Sequence, residues 1–292
     1  MVKKARKHPL WFNEIDDLVR GASGGFLFGI PLLYTMEVWW IGSFTSSFRK
    51  LGALVITYVA VFLLNRTAGF RKLQGIRSID AAMDSIEAMA IGLICSACIL
   101  ILLQEITLET PLNETLGKLI FEAVPFSLGV ALANQFLRGE GDAEQGTQQR
   151  DKTQNSDQDD LSATLTDIGG TLIGATIIAF NIAPTDEIPM LATAASPPWL
   201  LAIIAASLLI SYSIVFEAGF ANQEKRQQQQ GIFQRPLSET VISYLVSLMA
   251  AVCMLCFFEK VSFDDPWSIW LSYTLLLGLP ATIGGAAGRL AV

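Results

Sequence analysis

Long apolar runs separated by short polar segments account for most of the chain. Runs of about 20 such residues are typical of helices that cross the hydrocarbon core of a bilayer. The sequence therefore predicts an all-α polytopic membrane protein. Its eight transmembrane helices are expected at about residues 20–41, 51–64, 85–103, 115–137, 161–182, 198–216, 239–258 and 267–290. The second run is short unless its helix begins near residue 44.

The first run carries three features that a plain membrane helix lacks. Small residues at its start form a face along which another helix backbone can approach closely, which predicts helix packing or a gate. These small residues are Gly24, Gly25 and Gly29. Pro31 predicts a kink, because proline has no N–H and the carbonyl it frees must find another partner. Glu37 is a candidate ion or proton ligand, since a carboxylate at this depth must face protein or a water-filled cavity.

Composition narrows the class of protein further. A hydrophobic content of 52%, a charged content of 16% and a mean hydropathy of +0.46 exclude an ordinary soluble globular protein. The net charge is −7 and the basic residues lie in short segments between apolar runs, so we expect no nucleic-acid partner. His8 is the single histidine, which leaves no basis for histidine catalysis or a multi-histidine metal site. We expect no enzymatic activity, no cofactor and no metal centre.

Two polar segments organise the chain into units. Residues 1–20 combine a basic start with apolar positions at helical spacing, which predicts a short helix on the membrane surface and no cleavable signal. Residues 139–160 contain no apolar residue larger than alanine and cannot bury a core, so they are predicted to be a disordered linker. The remaining units, 1–138 and 161–292, carry four predicted spans each.

The distribution of basic residues predicts the orientation. With the N-terminus in the cytoplasm, all but four of the 20 lysines and arginines lie in cytoplasmic segments. Cytoplasmic loops of membrane proteins carry this excess of positive charge, so both termini are predicted to be cytoplasmic. The four exceptions are Arg49, Lys50, Lys118 and Lys260. Five of the six tryptophans then fall at the outer interface.

The two units resemble each other in sequence. Residues 24–29, GGFLFG, match residues 169–174, GGTLIG, at an offset of 145. Near the ends of the units, VPFSLGVALAN from Val124 matches LPATIGGAAGR from Leu279 at an offset of 155. Matches in the same order on equivalent spans indicate an internal duplication. Because each unit has an even number of crossings, the copies should be parallel repeats about an axis along the membrane normal.

The duplication also locates differences between the units. At the offset of 155, Glu122 in the fourth span corresponds to Leu277 in the eighth. At the offset of 145, Glu37 corresponds to Ile182 and has no acidic counterpart. The sequence places Glu37 and Glu122 at similar depth, where two acids could hold a cation or share a proton. Further candidates for the ion path are Asn134, Asp167 and Asn181, with ion pairing of Asp167 to Arg289 as the structural alternative for that acid. Candidates for packing or gating in addition to the first glycines are Pro125, Gly169, Gly170, Gly174 and Pro280.

The four cysteines form two pairs with three-residue spacing. Cys95 and Cys98 lie in the third span, and Cys253 and Cys256 lie in the seventh. Each pair falls on one helix face, and four thiols from related helices could form a soft-metal or redox site. The alternative is that these residues act as small apolar side chains of membrane helices.

Two stretches resemble a known family. RGASGGFLFGIPLLYTMEVWW, starting at Arg20, and LPATIGGAAGRLAV, starting at Leu279, are similar to a bacterial family of integral membrane proteins of unknown function. The resemblance implies a polytopic protein of the bacterial inner membrane. The resemblance implies no particular activity and identifies no functional residues.

These observations lead to two functional hypotheses. The first is a channel or secondary transporter for a small cation or proton, with its path near the glycine-rich first and fifth spans. The second is a membrane scaffold, sensor or assembly factor without transport activity. Under either hypothesis the lipid bilayer surrounds the protein, and homo-oligomerisation stays open.

Overall fold

The computed structural model describes residues 10–68, 78–133, 156–218 and 236–291. Within these ranges the chain folds into helices joined by short connections. The helices are α1 (Leu10–Leu33), α2 (Met36–Phe44), α3 (Ser47–Ala68), α4 (Ser78–Leu102), α5 (Leu112–Leu132), α6 (Ser156–Ile182), α7 (Glu187–Ala194), α8 (Pro197–Tyr212), α9 (Pro236–Phe257) and α10 (Trp267–Leu290). A π-helical turn, Ser213–Glu217, continues α8.

Most of these helices have the dimensions of membrane spans. In the described ranges seven of them are long and apolar enough to cross a bilayer, and α1 together with α2 makes an eighth candidate. The prediction of an all-α protein with several membrane spans is confirmed for this part of the chain.

The first predicted span is not a single helix. α1 begins at Leu10, so residues 10–20 belong to the same helix as the start of the span, and it ends at Leu33. α2 then leaves at 86° to α1. The Trp39 indole donates to the Leu33 carbonyl at 3.1 Å and thereby satisfies one carbonyl that the break exposes. The expected continuous helix over 20–41 is thus wrong, and Trp39 is buried instead of lying in an interfacial belt.

The second half contains a helix that the sequence did not reveal. α6 begins at Ser156, so its first five residues lie within the predicted linker, while residues 139–155 lie outside the described ranges. After α6 the chain forms the short helix α7, whose Ile188 and Leu191 are buried. Within the described ranges, each half therefore has a long helix, a short helix and then three long ones.

Glycines bring the first and last long helices of each half into close contact. A Cβ atom at Gly24 of α1 would lie 2.5 Å from the Gly129 carbonyl oxygen of α5. In the second half, Gly174 of α6 packs in the same manner against Gly284 of α10. Only residues without a side chain permit backbones this close.

Helix α1 also joins the two halves. Near its middle, the Arg20 Nε donates to the Ala218 carbonyl at the end of the π-helical turn, at 3.2 Å. Just after its end, the Met36 N–H donates to Glu187 at the start of α7, at 3.3 Å. Both short helices consequently lie at the same end of the molecule, called here the short-helix side. α1 and α6 both run toward it.

Candidate functional site

Two prolines inside membrane helices leave backbone carbonyls without a helical donor. Pro125 in α5 and Pro280 in α10 have no N–H to give to the carbonyls of Phe121 and Leu276, four residues earlier. The Leu276 carbonyl is satisfied by the Tyr34 hydroxyl, which donates to it at 2.8 Å. Phe121 instead lies in the wall of a groove between α1 and α5.

The residue next to Phe121 is a buried acid. Glu122 has no exposed surface, and neither of its carboxylate oxygens has a hydrogen-bond partner within the part of the chain that the structure describes. An unpaired charge inside a membrane helix is costly, so a buried acid of this kind is a candidate binding residue. Phe126, one turn along α5, is fully buried and lies against Gly29 of α1.

The groove has a volume of about 620 Å³. Leu32 and Thr35, at the break between α1 and α2, form one wall, and Glu122 and Pro125 of α5 form part of the other. Leu32 is 53% exposed, so the groove reaches the outer surface of the helix bundle. The site combines a broken helix, a carbonyl freed by proline and a buried carboxyl group.

A second buried acid lies on the other side of the break. Glu187, in the first turn of α7, is 6% exposed and accepts the hydrogen bond from Met36, while its other carboxylate oxygen has no partner in the described ranges. The positive N-terminal end of the α2 dipole stabilises a negative charge at this position. Sequence analysis missed Glu187 because α7 was read as a loop. A signal was present in the sequence, since Glu187 follows Glu37 by 150 residues, between the offsets of 145 and 155 that relate the two units.

Lys118 lies one turn from Glu122 on α5, toward the short-helix side. Its Nζ contacts the carboxylates of Glu105 at 3.2 Å and of Glu114 at 3.0 Å, and it lies 5.6 Å from the centre of the Trp39 ring. Burial raises the pKa of Glu105, an effect that the neighbouring Lys118 opposes. The lysine is thus held by groups of the α4–α5 connection and of α5.

Other basic residues on the short-helix side also have partners. The Lys50 Nζ donates to the backbone carbonyl of Asn113 at 2.5 Å and to its side chain at 2.8 Å. Lys260 pairs with Asp186 at 2.8 Å, and this hydrogen bond lowers the pKa of the aspartate. Three of the four exceptions to the charge asymmetry are therefore bound within the protein.

The two glutamates that the sequence placed together lie in different grooves. Glu37 is exposed and lines a groove of about 340 Å³ with Trp40 and Arg49. Glu122 lines the groove that Thr35 and Val38 share. The sharp bend before α2 changes the direction of the chain, so depth along a straight helix no longer predicts which residues meet.

The remaining candidates have different surroundings. Asp167 is half-buried in α6, and Asn181 is exposed with its amide donating to the Ile177 carbonyl of its own helix. Asn134 lies outside the described residues. Arg289, which is fully buried, pairs with Glu239 and lies over the Phe216 ring.

The cysteines do not converge on an interior site. Cys95 is buried, whereas Cys98, Cys253 and Cys256 are exposed, and all four are free thiols. Among the residues that the structure describes, no group of three or more histidine, cysteine, aspartate or glutamate side chains has the arrangement of a metal site.

The predicted packing glycines and prolines are mostly at helix contacts. Gly25 lies against Val130 and Phe126 of α5, and Gly170 lies against Gly288 of α10. Gly169 faces open space. Pro31 lies inside α1, two residues before that helix ends.

Comparison with known proteins gives a family. No curated protein and no solved structure matches the chain. A family described as "Putative integral membrane protein (DUF2391)" matches residues 17–292, which includes every span and both halves. With its several apolar helices, the chain is an integral, multi-pass membrane protein. It belongs to this family of integral membrane proteins, as the resemblance in its first and last spans predicted.

Proposed function

We propose that this protein is a secondary transporter that moves protons or another small cation, with Glu122 as the residue that binds the ion. The observation that carries the proposal is the burial of both Glu122 oxygens without a partner in the described ranges. Ionisable residues inside membrane helices mark ion pathways and proton relays. A discontinuous span beside the acid is a further feature of transporter binding sites.

An internal duplication supports a single ion site in one half. We infer two parallel repeats from the shared element order and from the glycine contacts between the first and last helices of each half. At the offset of 155, Phe121 and Glu122 correspond to Leu276 and Leu277. In the second half, the freed Leu276 carbonyl accepts a hydrogen bond from Tyr34, and Leu277 replaces the acid. The second copy is then a structural counterpart, and the first retains the free acid.

The chemistry expected at Glu122 follows from its surroundings. A proton or cation on the carboxyl group removes the cost of a buried charge, so the loaded form of Glu122 is compatible with its burial. Loss of the ion leaves a carboxylate that needs water or a counter-ion. Opening at the break between α1 and α2 would supply water, and it would separate Met36 from Glu187, whose hydrogen bond lies at the break.

Proton flux in liposomes tests the proposal. Protein reconstituted with an internal pH dye should collapse an imposed pH gradient faster than empty liposomes, and Glu122→Gln should abolish the difference because the amide cannot carry a proton. Glu37→Gln is the matched control, since Glu37 is exposed outside the groove. Equal flux in the Glu122→Gln variant and the wild type would refute the role of Glu122. Absence of flux in the wild-type protein would favour the scaffold hypothesis.

A further inference from the structure

We propose that the groove beside Glu122 binds a lipophilic organic cation that enters from the bilayer and competes with the proton. This inference rests on the proposed function, because it names the substrate that shares the carboxyl group with the proton. Apart from Glu122, the groove contains no charged side chain.

The size and lining of the groove favour an organic molecule. Its volume of about 620 Å³ lies within the range of roughly 300–1,000 Å³ that is common for small-molecule sites. Its walls include Phe28, Leu32, Val38, Phe121 and Leu128. A small inorganic ion would leave nearly all of this apolar surface without a contact.

The polar groups of the groove favour a cation of low charge density. The residues with polar groups that line the groove are Glu122, Thr35 and Phe121, whose backbone carbonyl lies four residues before Pro125. Metal ions with oxygen ligands take about six or more such groups. An organic ammonium or phosphonium ion requires one counter-charge and gains further from aromatic faces, which Phe28 and Phe121 can supply.

The position of the groove indicates entry from the lipid. Leu32 forms its edge on the outer surface of the helix bundle and is 53% exposed. In a bilayer this surface faces acyl chains, where a lipophilic cation accumulates. Glu122 is fully buried, so the ligand must displace groove side chains to reach the carboxylate.

One lysine on α5 and one on the neighbouring helix α3 already have partners. On α5 the nearest is Lys118, held by Glu105 and Glu114. On α3, Lys50 is bound to Asn113. The α1 and α2 residues that line the groove are uncharged. Competition between cation and proton should therefore occur at Glu122.

Binding of tetraphenylphosphonium to the purified full-length protein in detergent tests the proposal. Saturable binding is expected, stronger at alkaline than at acidic pH, with release of one proton for each cation bound. Glu122→Gln should weaken binding by about tenfold or more, equivalent to roughly 1.4 kcal/mol. Glu122→Asp, which keeps the carboxyl group, should retain part of the affinity. Excess sodium or potassium should not compete.

A second variant tests the groove without altering the acid. Leu32→Trp should fill the groove and abolish cation binding. Leu201→Trp, on the exposed face of α8, is the matched control and should bind normally. This variant also provides the test if Glu122→Gln does not elute as a single species on gel filtration.

The outcomes separate this proposal from the proposed function. Unchanged tetraphenylphosphonium binding in Glu122→Gln or in Leu32→Trp would overturn the assignment of the groove. If the wild-type protein moves protons but does not bind tetraphenylphosphonium, the proposal of an organic substrate is wrong and the proposed transporter function still stands. Binding lost in Glu122→Gln and Leu32→Trp but kept in Leu201→Trp would support it.

Discussion

Three residues connect the halves through one backbone carbonyl. Pro280 removes the N–H that would satisfy the Leu276 carbonyl, and Tyr34 replaces it with a hydroxyl from 242 residues away. In the first half, Pro125 frees the Phe121 carbonyl in the same way. Tyr34 is the residue that follows α1, and the residue that follows α6 is the small apolar Ala183, which has no hydroxyl to donate. The Leu276 carbonyl thus accepts a hydrogen bond from Tyr34, whereas Phe121, which carries the other freed carbonyl, lies in the groove wall.

Removal of the Tyr34 hydroxyl should destabilise the protein. Tyr34→Phe leaves the buried Leu276 carbonyl without a donor, which costs about 1–3 kcal/mol. The expected result is a lower unfolding midpoint in detergent, measured by circular dichroism during chemical denaturation. Tyr58→Phe is the control, because Tyr58 stacks on Phe62 in the sparsely buried helix α3. Equal stability of Tyr34→Phe and the wild type would contradict this role.

At the scale of the helices, local features that interrupt a membrane span decide the shape of the site. The chain breaks after Leu33, two residues beyond Pro31, and the short helix α2 packs through Gly42 against Gly117 of α5. The break brings Thr35 and Val38 into the wall of the Glu122 groove and directs Glu37 into another. Close helix contacts through glycine hold these elements in place.

Alanine at a helix contact and at an open glycine should have opposite effects. Gly24→Ala forces a methyl group toward the Gly129 carbonyl oxygen and should destabilise the protein by about 1–3 kcal/mol. At Gly52 of α3 a Cβ atom would meet nothing within 4 Å, so Gly52→Ala should stabilise the helix by roughly 0.5–1 kcal/mol. Denaturant unfolding of the two variants measures both changes. Similar effects at the two positions would show that the α1–α5 contact is not tight.

On the scale of the whole molecule, one contact near the middle of α1 and one just after its end define two sides. Arg20 meets Ala218 on one side, and Met36 meets Glu187 on the other. The short helices α2 and α7 therefore lie opposite the Arg20 side. Together with the charge asymmetry of the sequence, this leads us to propose that the Arg20 side is cytoplasmic in the bacterial inner membrane.

Cysteine labelling in intact cells tests this orientation. In a variant without the four native cysteines, Thr193→Cys in exposed α7 should react with a membrane-impermeant maleimide from outside. Asp16→Cys, at an exposed position of α1 before Arg20, should react only after the membrane is permeabilised. The reverse pattern would invert the proposed orientation. Labelling of both positions from outside would exclude the arrangement of eight crossings.

The sequence by itself determined the class of protein, the approximate spans and the family. These depend on the local content of apolar residues, because transfer of a helix into a bilayer is decided mainly by its own side chains. It also identified Glu122 as an unusual acid and glycines as contact positions. Neither inference required knowledge of distant residues.

Only the tertiary structure decided which residues surround that acid. The contact of Tyr34 with Leu276 joins residues 242 apart, and that of Met36 with Glu187 joins residues 151 apart. Neither pair has a local pattern that predicts it. The helix break, α7 and the separation of Glu37 from Glu122 depend on hydrogen bonds and packing between distant segments. A one-dimensional pattern of apolar and polar residues does not encode such contacts.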